Sequence, residues 1–210
     1  MASRNNSKIA EQTTEERIKE AARKVFQKKG FAATRTRDIA EEAGINLALL
    51  NYYFRSKEKL FEIIMLETLF GFMQNLAFIM NDDKSTLQTK VELIASGYID
   101  FIIRNPNVPL FMLSEMRANS GGLLKKLPIK QLVSNSAFLK QHRKAVEEGK
   151  IAEPHPLHFL MNLLGLIVFP FIGKPMLQGI SGVSDNQFKK LMMQRKKYIP
   201  VWINTMMKVR

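Results

Sequence analysis

Between Thr34 and Phe61 the chain carries two short apolar segments around a single glycine, and few folds accommodate that arrangement. Asp38, Ile39, Ala40 and Ala43 set a charge outside and small or branched apolar groups inside a first short helix. Gly44 supplies the left-handed residue that ends it. Asn46 is placed to cap a second helix over Leu47 to Phe54, with Leu50 and Phe54, four apart, sharing its inward face. Ala40 is small where the second helix must cross. The pattern predicts a helix-turn-helix.

In such a unit the second helix enters the major groove and the first crosses the backbone. Leu47, Ala48, Leu49, Asn51, Tyr52 and Tyr53 are left facing outward or sideways, and a face with tyrosines and an asparagine suits a bound polymer. Arg55, Ser56 and Lys57 stand at the start of the next helix, where free amides and a lysine make a phosphate site.

The stretch resembles the DNA-binding signature of the TetR/AcrR family of transcriptional regulators. Gly30-Phe31, Thr34, Arg37-Asp38-Ile39-Ala40, Ala43-Gly44-Ile45, Leu50, Tyr52-Tyr53-Phe54 and Ser56-Lys57-Glu58-Lys59-Leu60 stand in the places of that signature, and the match runs over residues 13–61. The departures are informative. Arg35 stands where the family has a Thr or Ser, Leu47-Ala48-Leu49 replace the commoner Lys-Gly-Thr, and Asn51 replaces Tyr. The base-reading face is therefore unusually apolar. Asn51 is expected to favour adenine, and Leu47 or Leu49 to touch thymine methyls. Arg35, Arg37, Tyr52, Tyr53 and Lys57 are assigned to phosphates, and Thr36, Leu47, Ala48, Leu49 and Asn51 to the base-facing surface.

At 210 residues with 46% hydrophobic content, the chain is long enough for a small headpiece and a second domain with its own core. The net charge of +13 invites an anionic partner but does not locate it. Residues 1–60 hold 13 basic and 8 acidic side chains, the remainder 19 and 11. Part of the C-terminal excess, Lys189-Lys190 and Arg195-Lys196-Lys197, reads as a solvated helix face. Cysteine is absent, which excludes disulfides and Cys-ligated zinc and fits a reducing compartment. Met1 to Gln12 is polar, without the apolar core of a signal peptide, and the most apolar run, Phe159 to Ile172, is too short to span a bilayer. A cytoplasmic protein without membrane attachment is expected.

Helical spacing continues along the chain. Thr13 and Glu16 form a capping box before a helix carrying Ile18, Ala21, Ala22, Val25 and Phe26, with the residues ahead of it expected to be a flexible tail. A long helix from Ser56 toward Met80 bridges two domains. Further helices are expected from Ser85 or Thr86 to Ile102, from Val108 to Arg117 with a break at Gly121-Gly122, from Pro128 to Glu148, over Leu157–Ile172 after the link Glu153-Pro154-His155-Pro156, and from Asp185 to Lys208. Residues 173–184 read as a connection. The expected fold is all-α, with a three-helix helix-turn-helix domain at 1–58 and a helical effector-binding and dimerisation domain at 59–210.

Leu157–Ile172 and the last helix are more apolar than solvent-facing helices should be, and suit pairing with a twofold copy in a four-helix interface. Two reading helices about one DNA turn apart then call for a palindromic operator in double-stranded DNA. The family resemblance implies a repressor released by a small, largely apolar effector. Phe101, Phe111, Met112, Met116, Phe138, Phe159, Met161 and Phe169 are candidates for its pocket, with Asn162 as the polar member; taken singly each Phe or Met reads more readily as core, and a dimer-interface hydrogen bond accounts for Asn162 equally well.

His155 and His158, near Glu153, have a spacing compatible with two metal ligands but lack a defined third. No glycine-rich phosphate loop or Ser-His-acid order is present, so no cofactor, metal or catalysis is expected. The competing reading is a basic helical interaction protein that binds a partner or anionic lipid through Phe159–Ile172 and the lysine-rich last helix, without sequence preference on DNA.

Overall fold

The computed structural model describes residues 2–118, 127, 133–152 and 155–208, with residues 2–12 and Ala118 described by their backbone alone. Among these there are ten helices and no strand. They are α1 (Ala2–Lys29), α2 (Thr36–Glu42), α3 (Leu47–Tyr53), α4 (Lys57–Asn81), α5 (Leu87–Arg104), α6 (Val108–Ala118), α7 (Ala137–Glu147), α8 (Pro156–Ile172), α9 (Lys174–Ser181) and α10 (Asp185–Met206). The chain divides into two compact units, Met1–Leu69 and Phe70–Arg210, the division falling inside α4.

The first unit is built on α1, α2, α3 and the opening of α4. Ile18, Ala22, Phe26, Ile39, Ala40, Leu50, Phe54, Leu60 and Ile64 are buried and form its core. Phe26, Phe31 and Phe61 cluster at one end, with Phe31 and Phe61 4.5 Å apart and Phe26 and Phe61 edge to face at 5.1 Å. Lys19, itself buried, and Arg23 reach from α1 to the carboxylate of Glu67 on α4. Burial alone would depress the Lys19 pKa, but hydrogen bonds to Glu16 and Glu67 outweigh it and hold the ammonium above its ordinary value.

Three sequence expectations need correction. α1 begins at Ala2, so Thr13 lies inside the helix rather than capping it, and residues 2–12 are helical instead of a loose tail. That segment contains neither glycine nor proline, so nothing local stops the helix from extending back from its buried turns. The helix expected over 128–148 is interrupted: residues 133–134 are helical, the chain turns at Asn135, and α7 starts afresh at Ala137, where the Ser136 side chain accepts the Leu139 amide. Residues 128–132, like the expected break at Gly121-Gly122 and the link residues Glu153-Pro154, lie outside the described residues. The supposed connection 173–184 holds α9, because Pro175 sits in the first turn, where proline costs no hydrogen bond.

In the second unit α5 packs against α7, α8 and α10, and α8 also meets α6, α7, α9 and α10. Val91, Ile94, Ile99 and Ile102 of α5, Phe159, Leu163 and Ile167 of α8, and Phe188, Met192, Ile199 and Ile203 of α10 form the buried seam. Pro170 inside α8 has no amide to offer the carbonyl of Leu166, four residues earlier. Arg195 of α10 donates to that carbonyl from Nη2 at 2.7 Å, while its guanidinium lies 5.0 Å from the Trp202 ring. The proline is thus tolerated because a side chain from the neighbouring helix satisfies the freed acceptor.

α4 is long and apolar enough, by length and composition, to cross a bilayer. Much of its apolar surface is core: Leu60, Ile64 and Leu69 in the first unit and Met73, Leu76 and Met80 in the second are buried, while Phe70 and Phe78 are exposed. Glu62 and the ion-paired Glu67 interrupt the same helix, at positions where hydrocarbon would exact a large desolvation cost.

Candidate nucleic-acid interface

The turn between α2 and α3 is set locally. Gly44 sits at φ +63°, the Ile45 amide donates to the Ala40 carbonyl at 3.0 Å and the Gly44 amide to the Glu41 carbonyl at 3.1 Å. These two bonds make a Schellman ending, in which a left-handed residue closes the last carbonyls of α2. Two residues on, Asn46 Oδ1 accepts the Leu49 amide at 2.8 Å and starts α3. Leu50 and Phe54 then point into the core, and the rest of α3 is left outside.

That outside face is the candidate reading surface. Leu47, Ala48, Leu49, Asn51 and Tyr52 are exposed and Tyr53 is half-buried, its ring edge-on to Tyr52 at 5.4 Å. Tyr52 is 76% exposed, the most open large side chain of α3, and lies one turn beyond Ala48 on the same line. At the start of α2, Arg35 and Arg37 are exposed and Thr36 is half-buried. The structure therefore brings nine of the ten expected DNA-facing residues to the α2 start and the open side of α3.

Lys57 is placed differently. Its ammonium donates to the Phe31 carbonyl at 3.1 Å and to the Thr34 carbonyl at 3.0 Å, and stands 4.4 Å from the Phe31 ring centre. Thr34 is itself buried, with Oγ1 donating to the Gly30 carbonyl at 2.7 Å. Lys57 thus braces the α1–α2 loop against the start of α4 and has one N–H left for a phosphate. Ser56 caps α4 by accepting the Lys59 amide.

A second brace escapes sequence inspection. Asp38 accepts the backbone amide of Arg35 at 2.9 Å and pairs with Lys29 at 3.0 Å, joining the end of α1 to the start of α2. The amide bond first, and Lys29 second, hold the Asp38 carboxyl below its ordinary value of 3.8. A depressed folded pKa means stabilisation that is present above 3.8 and is lost as the pH falls through the lower folded value. Asp38→Asn is expected to lower the melting temperature at neutral pH and to leave a shallower loss of helicity in an acid titration followed by circular dichroism. An unchanged acid limb would remove Asp38 from the account.

The expected effector residues do not surround one cavity. Phe101 is buried and stacks on Phe72 at 4.1 Å, beside Tyr98, whose pKa is raised by burial. Phe138 and Phe159 are buried together, 5.2 Å apart, with His142 5.6 Å from Phe159. Phe111 and Met112 are half-buried, whereas Met116, Met161, Asn162 and Phe169 are exposed on the single chain. One small cavity of about 20 Å³ brings Phe159 and Asn162 together with His142, Ile203, Met206 and Met207. That is room for about one water molecule and far too little for an effector-sized ligand, whose pockets run to roughly 300 Å³ or more. At the start of α8, His155 Nδ1 accepts the Leu157 amide, so the histidine considered as a metal ligand serves as a helix cap.

Comparison with known proteins supports the reading of the first unit. Residues 18–64 match the family model described as bacterial regulatory proteins, tetR family. The chain is similar to a probable HTH-type transcriptional regulator, YttP, of Bacillus subtilis, with 26% identity over 167 residues, 76% of this chain and 78% of that protein. It is also similar to the HTH-type transcriptional repressor NicS of Pseudomonas putida, at 34% identity over 102 residues, covering 49% of this chain and 48% of NicS. Among solved structures, the transcriptional regulator FadR from Bacillus subtilis, in complex with stearoyl-CoA, shares the fold over 92% of this chain and 98% of its own, with a TM-score of 0.58 and 17% identity. With the α2–α3 pair built as a helix-turn-helix, residues 18–64 make up a DNA-binding domain of the kind found in bacterial regulatory proteins of the tetR family, and the chain is a DNA-binding transcriptional regulator.

Proposed function

We propose that the chain works as a homodimeric repressor of a palindromic operator, released when a small, largely apolar effector enters the second domain. The observation that carries the dimer is a pair of uncovered apolar helix faces. Leu157, Met161 and Leu164 on α8, and Leu191, Tyr198 and Val201 on α10, recur at helical spacing and are exposed in the single chain. A twofold copy covers both faces at once, and a dimer sets two α3 helices on one DNA duplex.

In this reading residues 1–58 are the DNA-binding module and residues 59–210 the effector-binding and dimerisation module. Arg35, Arg37, Tyr52 and Tyr53 hold phosphates, Lys57 adds its remaining N–H, and Thr36, Leu47, Ala48, Leu49 and Asn51 face the bases. The NicS name supports repression, and the stearoyl-CoA bound to FadR supports an apolar effector in a fold of this kind. The 20 Å³ cavity at Phe159 and Asn162 is where we place the opening for that ligand, which requires α7, α8 and α10 to part. A DNA reader of this type acts in the cytoplasm.

The test is selection of bound duplexes from a random pool at near-physiological salt, with the wild type and Asn51→Ala side by side. A palindrome is expected, with Asn51→Ala relaxing preference at two symmetric positions by about 1–3 kcal/mol each. A single unpaired motif would overturn the dimer. No consensus at all would favour the competing interaction-protein reading.

A further inference from the structure

The exposed face of α3 differs from an ordinary major-groove surface in what it lacks. None of the residues Leu47 to Tyr53 is charged, and only Leu50 is buried. Leu47 and Leu49 are exposed to 37% and 36%, flanking Ala48, so the first turn offers the groove nothing but apolar groups. The Asn46 side-chain oxygen is already engaged by the Leu49 amide. The chain's cations on either side of α3, Arg35 and Arg37 before it and Arg55 and Lys57 after it, all lie outside the helix. The commonest specific contact, an Arg or Lys fork on guanine O6 and N7, has no donor on this helix.

Base pairs differ in what they offer such a surface. Thymine presents its 5-methyl group in the major groove, whereas a G·C pair presents two acceptors and an amino donor. A leucine pressed on the latter would leave polar groups dehydrated and unpaired. On the former it buries apolar surface against apolar surface. Asn51 lies one turn beyond Leu47 on the same side of the helix, about 6 Å along the axis. That is roughly two base steps at 3.4 Å each.

From these observations, and resting on the operator reading above, we propose that α3 reads the 5-methyl groups of thymine. Leu47 and Leu49 are the specificity-determining contacts, Ala48 allows the close approach, and Asn51 supplies a hydrogen bond to adenine about two steps away. The half-site facing α3 is then A·T-rich at its core, and its recognition depends on a substituent that takes no part in base pairing.

That dependence gives a direct test. The selected operator is synthesised with deoxyuridine replacing thymine in the two half-sites, which removes only the methyl groups, and in a control with the same replacement outside them. Binding of the full-length protein is measured by fluorescence anisotropy at fixed salt. Each lost methyl contact is expected to weaken binding about fourfold, and a symmetric pair of contacts about tenfold or more, while the control duplex binds as the parent does. The Leu47→Ala/Leu49→Ala variant, altered only at exposed positions, is expected to bind thymine and deoxyuridine operators alike. Equal wild-type affinity for both duplexes would overturn methyl reading while leaving the operator reading standing. A selection that yields no operator would overturn the operator reading and this proposal with it.

Discussion

Replacing Lys90 with methionine is expected to lower the melting temperature by roughly 6–12 °C, at 2–4 °C per kcal/mol for a chain of this size. The Lys90 side chain is closed off from solvent on the first turn of α5. Its ammonium donates to the Asp82 carbonyl at 2.6 Å, the Ser85 carbonyl at 2.8 Å and Ser85 Oγ at 2.9 Å, which uses all three of its N–H groups. Burial pushes the Lys90 pKa down, and Asp82 and Asp83 act against that shift. The side chain ties the α4–α5 loop to the helix that packs against α7, α8 and α10, and Gln141 of α7 adds a fourth bond, Nε2 to the Ser85 carbonyl at 2.8 Å. Methionine fills a similar volume but leaves the Asp82 carbonyl and Ser85 Oγ without the lysine donor, the Ser85 carbonyl keeping Gln141, at about 1–3 kcal/mol for each unsatisfied group and about 3 kcal/mol in all. A thermal melt followed by circular dichroism measures this. Equal melting of the variant and the wild type would show that the ammonium is not the tie.

The contrast between Lys90 and Gly44 shows what a sequence can disclose. Gly44 and Asn46 act within five residues of themselves, through one left-handed backbone and one side-chain cap, so their roles follow from residue type and spacing. Leu50 and Phe54 were legible for the same reason, since their four-residue spacing fixes one inward face. Lys90 stands beside Val91 at a position where a lysine reads as solvated, and only the folded loop brings Asp82 and Ser85 to it. Lys57 is a similar case. Its place before an apolar helix suggested phosphate, but its acceptors lie 26 and 23 residues back, in a loop whose path no local pattern describes. The effector residues were least legible, because helical periodicity marks a Phe or Met as apolar without saying what covers it. Phe138 went to the core and Phe169 to the surface from equally apolar settings.

The proposed division between base readers and phosphate holders has its largest measurable consequence at Arg35 and Arg37. Arg35→Ala/Arg37→Ala is expected to weaken binding to operator and random DNA by similar factors, since phosphates carry no sequence. Both arginines are exposed at the start of α2, so their removal spares the core. In a dimer the variant lacks four phosphate contacts, and the slope of log K against log salt should become shallower by about four, at roughly 0.9 for each contact. Between 50 and 200 mM salt the wild type then loses about a hundredfold more affinity than the variant does. Lys57→Ala separates the two roles of that lysine. A phosphate holder removed from each subunit flattens the slope by about two units with little change in melting. A brace removed from the Phe31 and Thr34 carbonyls lowers the melting temperature and weakens DNA binding through disorder of the α1–α2 loop. With two of its three N–H groups already engaged, Lys57 is expected to show mainly the second pattern. A slope unchanged in the arginine double variant would move the phosphate contacts away from α2 and overturn the placement of α3 in the groove that depends on them.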